Sequence, residues 1–183
     1  LKALTLVRPI TAARIWARDP VKAQLAADAC RAELGIPVAA TATIADAIGA
    51  ADIIVTTTPT SEPLIMAEML EPGQHVTAMG SDQETKCELH PVCLAKAALY
   101  VPDRRSQTEK LGELRAAIAA GAVSPDAEFP ELGDIVSGKH PGRRSHDDIT
   151  IADLTGTGLQ DTAIATMAFQ RCSKLGAGTV FGD

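Results

Sequence analysis

Long apolar runs are missing from this chain. Stretches such as residues 53–55 and 64–66 fall far short of the roughly 18 to 20 residues that span a bilayer, so a membrane partner is not expected. A positive charge excess is also missing. With 17 Lys and Arg against 23 Asp and Glu, the net charge is -6, and the basic pairs Arg104-Arg105 and Arg143-Arg144 are too short to gather a phosphate backbone. Nucleic acid is therefore not expected as a partner. Cysteine is scarce, with four residues at 30, 87, 93 and 172 that lack the dense spacing of a disulfide framework, and no charged region followed by a secretory core opens the chain. These absences point to a reducing, cytoplasmic compartment. An initiator Met is absent as well: the chain opens Leu1-Lys2-Ala3-Leu4 with helical apolar spacing, as a piece of something longer would. What is present, 46% hydrophobic and 22% charged residues over 183 positions without repeats, describes one globular domain or slightly more.

Local signals set the order of elements. Residues 13–17 lean towards a strand, and Asp19-Pro20 supplies a cap oxygen followed by a ring suited to the first helical turn. Val21, Leu25, Ala26, Ala29 and Cys30 then recur at helical spacing until Gly35, so a helix is predicted over 20–34. Extended segments follow at 37–41, 52–57, 75–79, 98–102 and 149–154, with helices at 44–50, 111–120, 132–137 and 159–175. Strands alternating with helices predict a parallel sheet with crossovers on both faces, and Ile53-Ile54-Val55 reads as a strand buried on both sides.

In such sheets ligands bind beyond the carboxyl ends of the strands. Arg18 and Asp19, residues 56–58, Gly80-Ser81-Asp82 and Asp103-Arg104 stand at those ends, which makes a nucleotide site the leading expectation. The usual Gly-rich turn is not found: Gly156-Thr157-Gly158 runs on into Leu159, Gln160 and Asp161. Arg18 suits a 2′-phosphate and Asp19 a pair of ribose hydroxyls, while Asp19 serves equally well as a helix cap. Asp82, presented by Gly80-Ser81, can become a general acid or base if desolvation raises its pKa, or it can be a turn residue paired with Lys86. Cys87, His90 and Cys93 lack a fourth ligand for zinc, so no metal is expected, and the two cysteines fit as small buried residues. His75 reads as a satisfied strand residue, and His140 and His146 as loop residues.

The strings Ile15-Trp16-Ala17-Arg18-Asp19-Pro20, Ala51-Asp52-Ile53-Ile54-Val55-Thr56-Thr57-Thr58-Pro59 and Ala78-Met79-Gly80-Ser81-Asp82 with Lys86 resemble the ornithine cyclodeaminase and mu-crystallin family. Gly112-Glu113-Leu114, Glu131-Leu132-Gly133, Pro141-Gly142-Arg143 and Asp153-Leu154-Thr155-Gly156 match it in the same order. The wording of residues 75–82, 103–107 and 149–158 is most similar to the ectoine-utilisation cyclodeaminase branch.

The resemblance implies an α/β, Rossmann-type doubly wound parallel sheet over residues 1–145, without its first strand and Gly-rich loop. It implies that residues 146–183 form a strand and helix that belong to, or pack on, a dimerisation and substrate domain. It implies NAD or NADP as cofactor, a homodimer, a small amino-acid substrate and release of ammonia. Asp82 falls at the acid/base position. Arg18, Asp19, Thr56, Met79, Gly80, Ser81, Lys86 and Leu154 fall at cofactor positions, and Thr155 falls near the substrate. A ketimine reductase, an alanine dehydrogenase and a nucleotide-dependent binding protein without turnover are alternatives on the same scaffold. The residues that would hold the substrate carboxylate precede Leu1 in the family, so the chain alone is expected to be inactive.

Overall fold

A computed structural model describes residues 1–179 and residue 181. Val180, Gly182 and Asp183, at the end of the second expected unit, lie outside the described residues.

A short helix α1 (Lys2–Thr5) precedes β1 (Ala13–Ile15). Helix α2 (Pro20–Leu34) starts and stops where the sequence signals it. Asp19 accepts from the Val21 and Lys22 amides, Pro20 occupies the first turn, and Gly35 closes the helix at a left-handed φ of 66°. It buries Ala23 and Ala27 against a two-stranded parallel sheet of β1 and β2 (Val38–Ala40).

The remaining strands form a second parallel sheet. Helix α3 (Ile44–Ile48), capped by Thr43, leads into β3 (Ile53–Thr56), followed by β4 (His75–Ala78), α4 (Val92–Lys96) and β5 (Leu99–Pro102). Helices α5 (Arg105–Thr108), α6 (Glu113–Ala119) and α7 (Leu132–Val136) come before β6 (Thr150–Asp153), and α8 (Gly158–Leu175) follows it. The strand order is β3-β4-β6-β5, so β6, from the segment expected to belong to a second unit, is inserted between β4 and β5.

Several expectations need correcting. The helix anticipated over 111–120 forms as α6, starting at Glu113, where a buried carboxylate on β6, Asp153, accepts from the Glu113 and Leu114 amides, and a short helix that was not anticipated, α5, precedes it. Between β3 and β4 only a 3-10 turn at Ala67–Met69 forms, in a segment broken by Pro59, Pro63 and Pro72.

The main core packs on one face of the sheet. Ile54, Val76, Tyr100 and Ile151 point into a core completed by Ile48, Ile65, Leu70, Leu89, Leu94 and Leu114. On the other face Val55 is 43% exposed, so β3 is not buried on both sides. That face is instead lined with polar groups. His75 Nδ1 lies 2.8 Å from Thr150 Oγ1 and its Nε2 lies 3.2 Å from Thr77 Oγ1, while Arg143 donates to Thr150 and to the Gly73 and Gln74 carbonyls. His75 is thus the satisfied strand residue expected, and burial lowers its pKa, with Arg143 and Arg8 adding to the effect.

Helix α8 buries none of its residues, and Leu159, Ile164 and Phe169 stand more than half exposed. No helix among the described residues is long and apolar enough to cross a membrane.

Candidate functional site

Parallel strands share one carboxyl edge, and the register aligns it. Thr56, Ala78, Asp153 and Pro102 form the last paired row, which brings residues 57, 79, 154 and 103 side by side just above it. A cavity of about 290 Å³ opens over the β3 and β4 ends of that row, lined by Thr57, Thr58, Pro59, Met79, Gly80, Asp82 and Lys86.

Four of the expected site residues meet there. Met79, 47% exposed, and Pro59 give the cavity an apolar wall. Gly80 brings bare backbone to its floor: a Cβ on it would stand closer than 3.0 Å to the Thr58 carbonyl and to the Glu88 carboxylate. Asp82 and Lys86 form an ion pair of 2.6 Å with side chains 47% and 18% exposed, in a loop and not along a helix. The Lys86 hydrogen bond holds the Asp82 carboxyl below the usual carboxylate range and outweighs the small opposing effect of burial. Of the two expectations for Asp82, a desolvated acid of raised pKa and a turn residue paired with Lys86, the pairing is the one present. The structure has a wetter, paired carboxylate that stays ionised at neutral pH.

The other expected residues are placed differently. Thr56 is buried and its hydroxyl donates to Glu88, while Ser81 is buried and donates to Glu113. The Leu154 amide extends the sheet to the Ala78 carbonyl. Thr155 gives both its amide and its hydroxyl to Asp103. Arg18 and Asp19 stand exposed at the end of β1, outside the cavity wall, with one Asp19 oxygen occupied in capping α2. Cys87 and Cys93 are buried as small residues, and burial pushes both thiols up to about 12. Among the described residues no cluster of His, Cys, Asp and Glu is arranged to hold a metal.

Three buried carboxylates, none given a role from the sequence although Glu113 and Asp153 stand in strings that match the family, hold the cavity from beneath. Glu88 accepts from Thr56, Thr58 and Gly80. Glu113 accepts from Ser81, from the Glu88 amide at 2.8 Å and from the Leu89 amide at 3.2 Å, so it anchors both ends of the loop that carries Asp82 and Lys86. Asp153 Oδ2 takes the Tyr100 hydroxyl at 2.6 Å and the Glu113 amide at 2.9 Å, while its Oδ1 is buried with no hydrogen-bond partner among the described residues. The available signal was a charged residue inside an apolar stretch, as in Cys87-Glu88-Leu89 and Ile149 to Leu154.

Burial raises the pKa of Glu113, and it pushes Asp153 up to about 7, with the Glu113 charge adding to the shift and the Tyr100 hydrogen bond opposing it. A carboxyl whose folded-state pKa is raised binds its proton more tightly folded than unfolded. Its contribution to stability is therefore complete below the ordinary value of about 3.9 and is lost as pH rises through about 7. Melting temperatures taken from about pH 4 to pH 8 should show Asp153→Asn gaining on the wild type as pH rises to about 7 and levelling off above it. A difference independent of pH would show that Asp153 does not titrate in this window.

The sequence profile of the ornithine cyclodeaminase/mu-crystallin family matches residues 1–175. A protein of Rhizobium meliloti named provisionally as a dehydrogenase is 59% identical over 181 residues, which is 99% of this chain and 55% of that protein. An uncharacterized cyclodeaminase of Sinorhizobium fredii is 54% identical over 181 residues, again 99% of this chain and 55% of that protein. The crystal structure of the iminosuccinate reductase of Paracoccus denitrificans in complex with NAD+ superposes with a TM-score of 0.89 at 34% identity, covering 97% of this chain and 54% of the reductase. The chain thus spans about half the length of these relatives. With a parallel sheet whose aligned strand ends carry the family's motifs, and a profile match over nearly its whole length, the chain belongs to the ornithine cyclodeaminase/mu-crystallin family.

Proposed function

We propose that this chain is the dinucleotide-binding part of an NAD(P)-dependent enzyme that converts a small diamino acid or an ectoine-derived compound with release of ammonia. The observation that carries this reading is the Asp82–Lys86 pair opening on the cavity above β3 and β4, beside backbone left bare by Gly80. The residues present fit the nicotinamide end of such a cofactor. Met79 and Pro59 offer an apolar wall for a flat ring, and the Gly80 backbone forms part of the lining beside it. Arg18 and Asp19, at the end of β1, stand where a dinucleotide fold places its ribose contacts.

When bound, the nicotinamide supplies the acceptor and the donor of a hydride. The chain's own part is proton handling and placement. Asp82, ionised at neutral pH, first takes a proton from a substrate amine, and Lys86 steadies the carboxylate charge until that proton arrives and again once it has been passed on. Ser81 and Thr56 act on the site through Glu113 and Glu88. Residues 146–183 are proposed to reach the substrate domain through α8, whose apolar residues are exposed, within a homodimer of the whole protein. The similarity to a reductase supports a second reading on the same residues, net reduction of an imine.

The test is a titration with NADH and with NADPH of protein produced from its complete reading frame, following the part of the tryptophan emission that a Trp16→Phe variant lacks, Trp16 being the only tryptophan of these 183 residues. Saturable quenching by one nucleotide is expected. Ammonia release without net change in reduced nicotinamide supports the cyclodeaminase reading, and stoichiometric oxidation of the nucleotide supports the reductase. No quenching by either nucleotide in folded protein overturns both.

A further inference from the structure

The last rung of the β3–β4 ladder runs from the Met79 amide to the Thr56 carbonyl. Beyond it the two chains part, and the amides of Thr58 and Gly80 have no strand to pair with. A fully buried side chain fills the fork. Glu88, 0% exposed, accepts from the Thr58 amide and, at 2.7 Å, the Thr58 hydroxyl through Oε1. Its Oε2 accepts from the Gly80 amide at 2.7 Å and the Thr56 hydroxyl at 2.6 Å. No cation pairs with it among the described residues. A buried polar group of this kind is weak as a source of stability, since desolvation opposes what its hydrogen bonds contribute. What it does provide is geometry, because two oxygens of one rigid group set how far apart the strand ends stand.

We propose that Glu88 is the positioning residue of the cofactor crevice: by bridging the ends of β3 and β4 it fixes the width of the cavity into which the nicotinamide enters, and so sets cofactor affinity without touching the cofactor. This rests on the NAD(P)-dependent reading given above. Two features make the role testable apart from mere stability. Each Glu88 oxygen takes one hydroxyl and one backbone amide. A hydroxyl can reverse and become an acceptor, but a backbone N–H cannot. Glu88→Gln, nearly identical in shape, must therefore turn its NH2 against either Thr58 or Gly80 and release one strand end. Glu88→Asp keeps two acceptors but loses the reach of one methylene, so it too is unable to hold both ends.

The experiment measures the dissociation constant of the nucleotide that binds the wild type, well below the melting temperature, in protein from the complete reading frame. Glu88→Gln and Glu88→Asp are compared with Ile151→Ala, a core truncation on β6 chosen to cost comparable stability. The expected result is a rise of about tenfold or more for Gln and a smaller one for Asp, with Ile151→Ala binding as the wild type does, since a tenfold change corresponds to about 1.4 kcal/mol, the scale of one or two hydrogen bonds. Folded Glu88 variants that bind as tightly as the wild type overturn the positioning role and leave the function reading intact. If Glu88→Gln fails to fold, Glu88→Asp carries the comparison by the same criterion. Should neither variant fold, Glu88 is a determinant of folding and the proposal is overturned. A wild type that binds neither nucleotide overturns the function reading first and the positioning role with it, and it is recognised before any substitution is made.

Discussion

Asp82→Asn is expected to lower turnover by about 10² to 10⁴-fold, the usual contribution of a general acid or base, while the affinity for the nicotinamide nucleotide stays close to that of the wild type. The separation follows from how the site is built. Asp82 lies on the rim of the cavity, about half exposed, and accepts one hydrogen bond from Lys86. An asparagine oxygen can accept the same bond, so the loop need not move. The shape of the cavity is held from beneath, by Glu88 at the strand ends and by Glu113 at the loop. Only the ability to take up a proton is removed. Stability should change by no more than about 0.5 kcal/mol, since an exposed ion pair contributes little. Because Lys86 keeps Asp82 ionised below the usual carboxylate range, the acid limb of the wild-type pH profile should also lie below that range. Nucleotide binding lost with turnover intact would assign Asp82 to binding and remove it from the chemistry.

The same distinction explains what could be read from the sequence. The ends of α2 were legible to the residue, because Asp19, Pro20 and Gly35 act locally and nothing distant overrides them. The strands were legible for a similar reason, and so was the line of groups at the carboxyl ends of β3 to β6, because parallel strands of one sheet share an edge whatever their order, whereas Arg18 and Asp19 follow a strand of the separate two-stranded sheet. The covered side of the sheet was not legible. Ile53-Ile54-Val55 has the composition of a strand buried on both faces, yet whether Val55 is buried depends on what packs over it, and the described residues leave it open. Least legible of all were the buried acids. Asp82 announces itself by following a strand through Gly80-Ser81. Glu88 stands between Cys87 and Leu89 with no spacing that reveals a partner, and the groups it holds, Thr56 and Thr58, lie 32 and 30 residues away. The chemistry of the rim follows from local rules, whereas the support beneath it depends on packing.

Gly80→Ala is expected to be the most damaging glycine-to-alanine change among the described residues, costing about 3 kcal/mol or more and about 6 to 12 °C in melting temperature, with nucleotide binding weakened in the protein that remains folded. The reason is close approach and not backbone strain, for Gly80 is not among the residues at positive φ. The added carbon would meet the Thr58 carbonyl on one side and the Glu88 carboxylate on the other, both inside 3.0 Å. The carbonyl belongs to the segment that leaves the end of β3 and can move only if that end moves. The carboxylate is fully buried and bonded to four donors, so it can yield only by giving some of them up. Either response widens the fork that the cavity depends on. Gly133→Ala in α7 is the informative contrast. Nothing lies within 4 Å of its Cβ position, and alanine favours the helix, so it should be neutral or stabilising by about 0.5 to 1 kcal/mol. Thermal melts of the two variants beside the wild type decide the matter. A Gly80→Ala protein that melts and binds nucleotide like the wild type would mean that the ends of β3 and β4 can separate at little cost, and that the cavity width is not set by the fork beneath it.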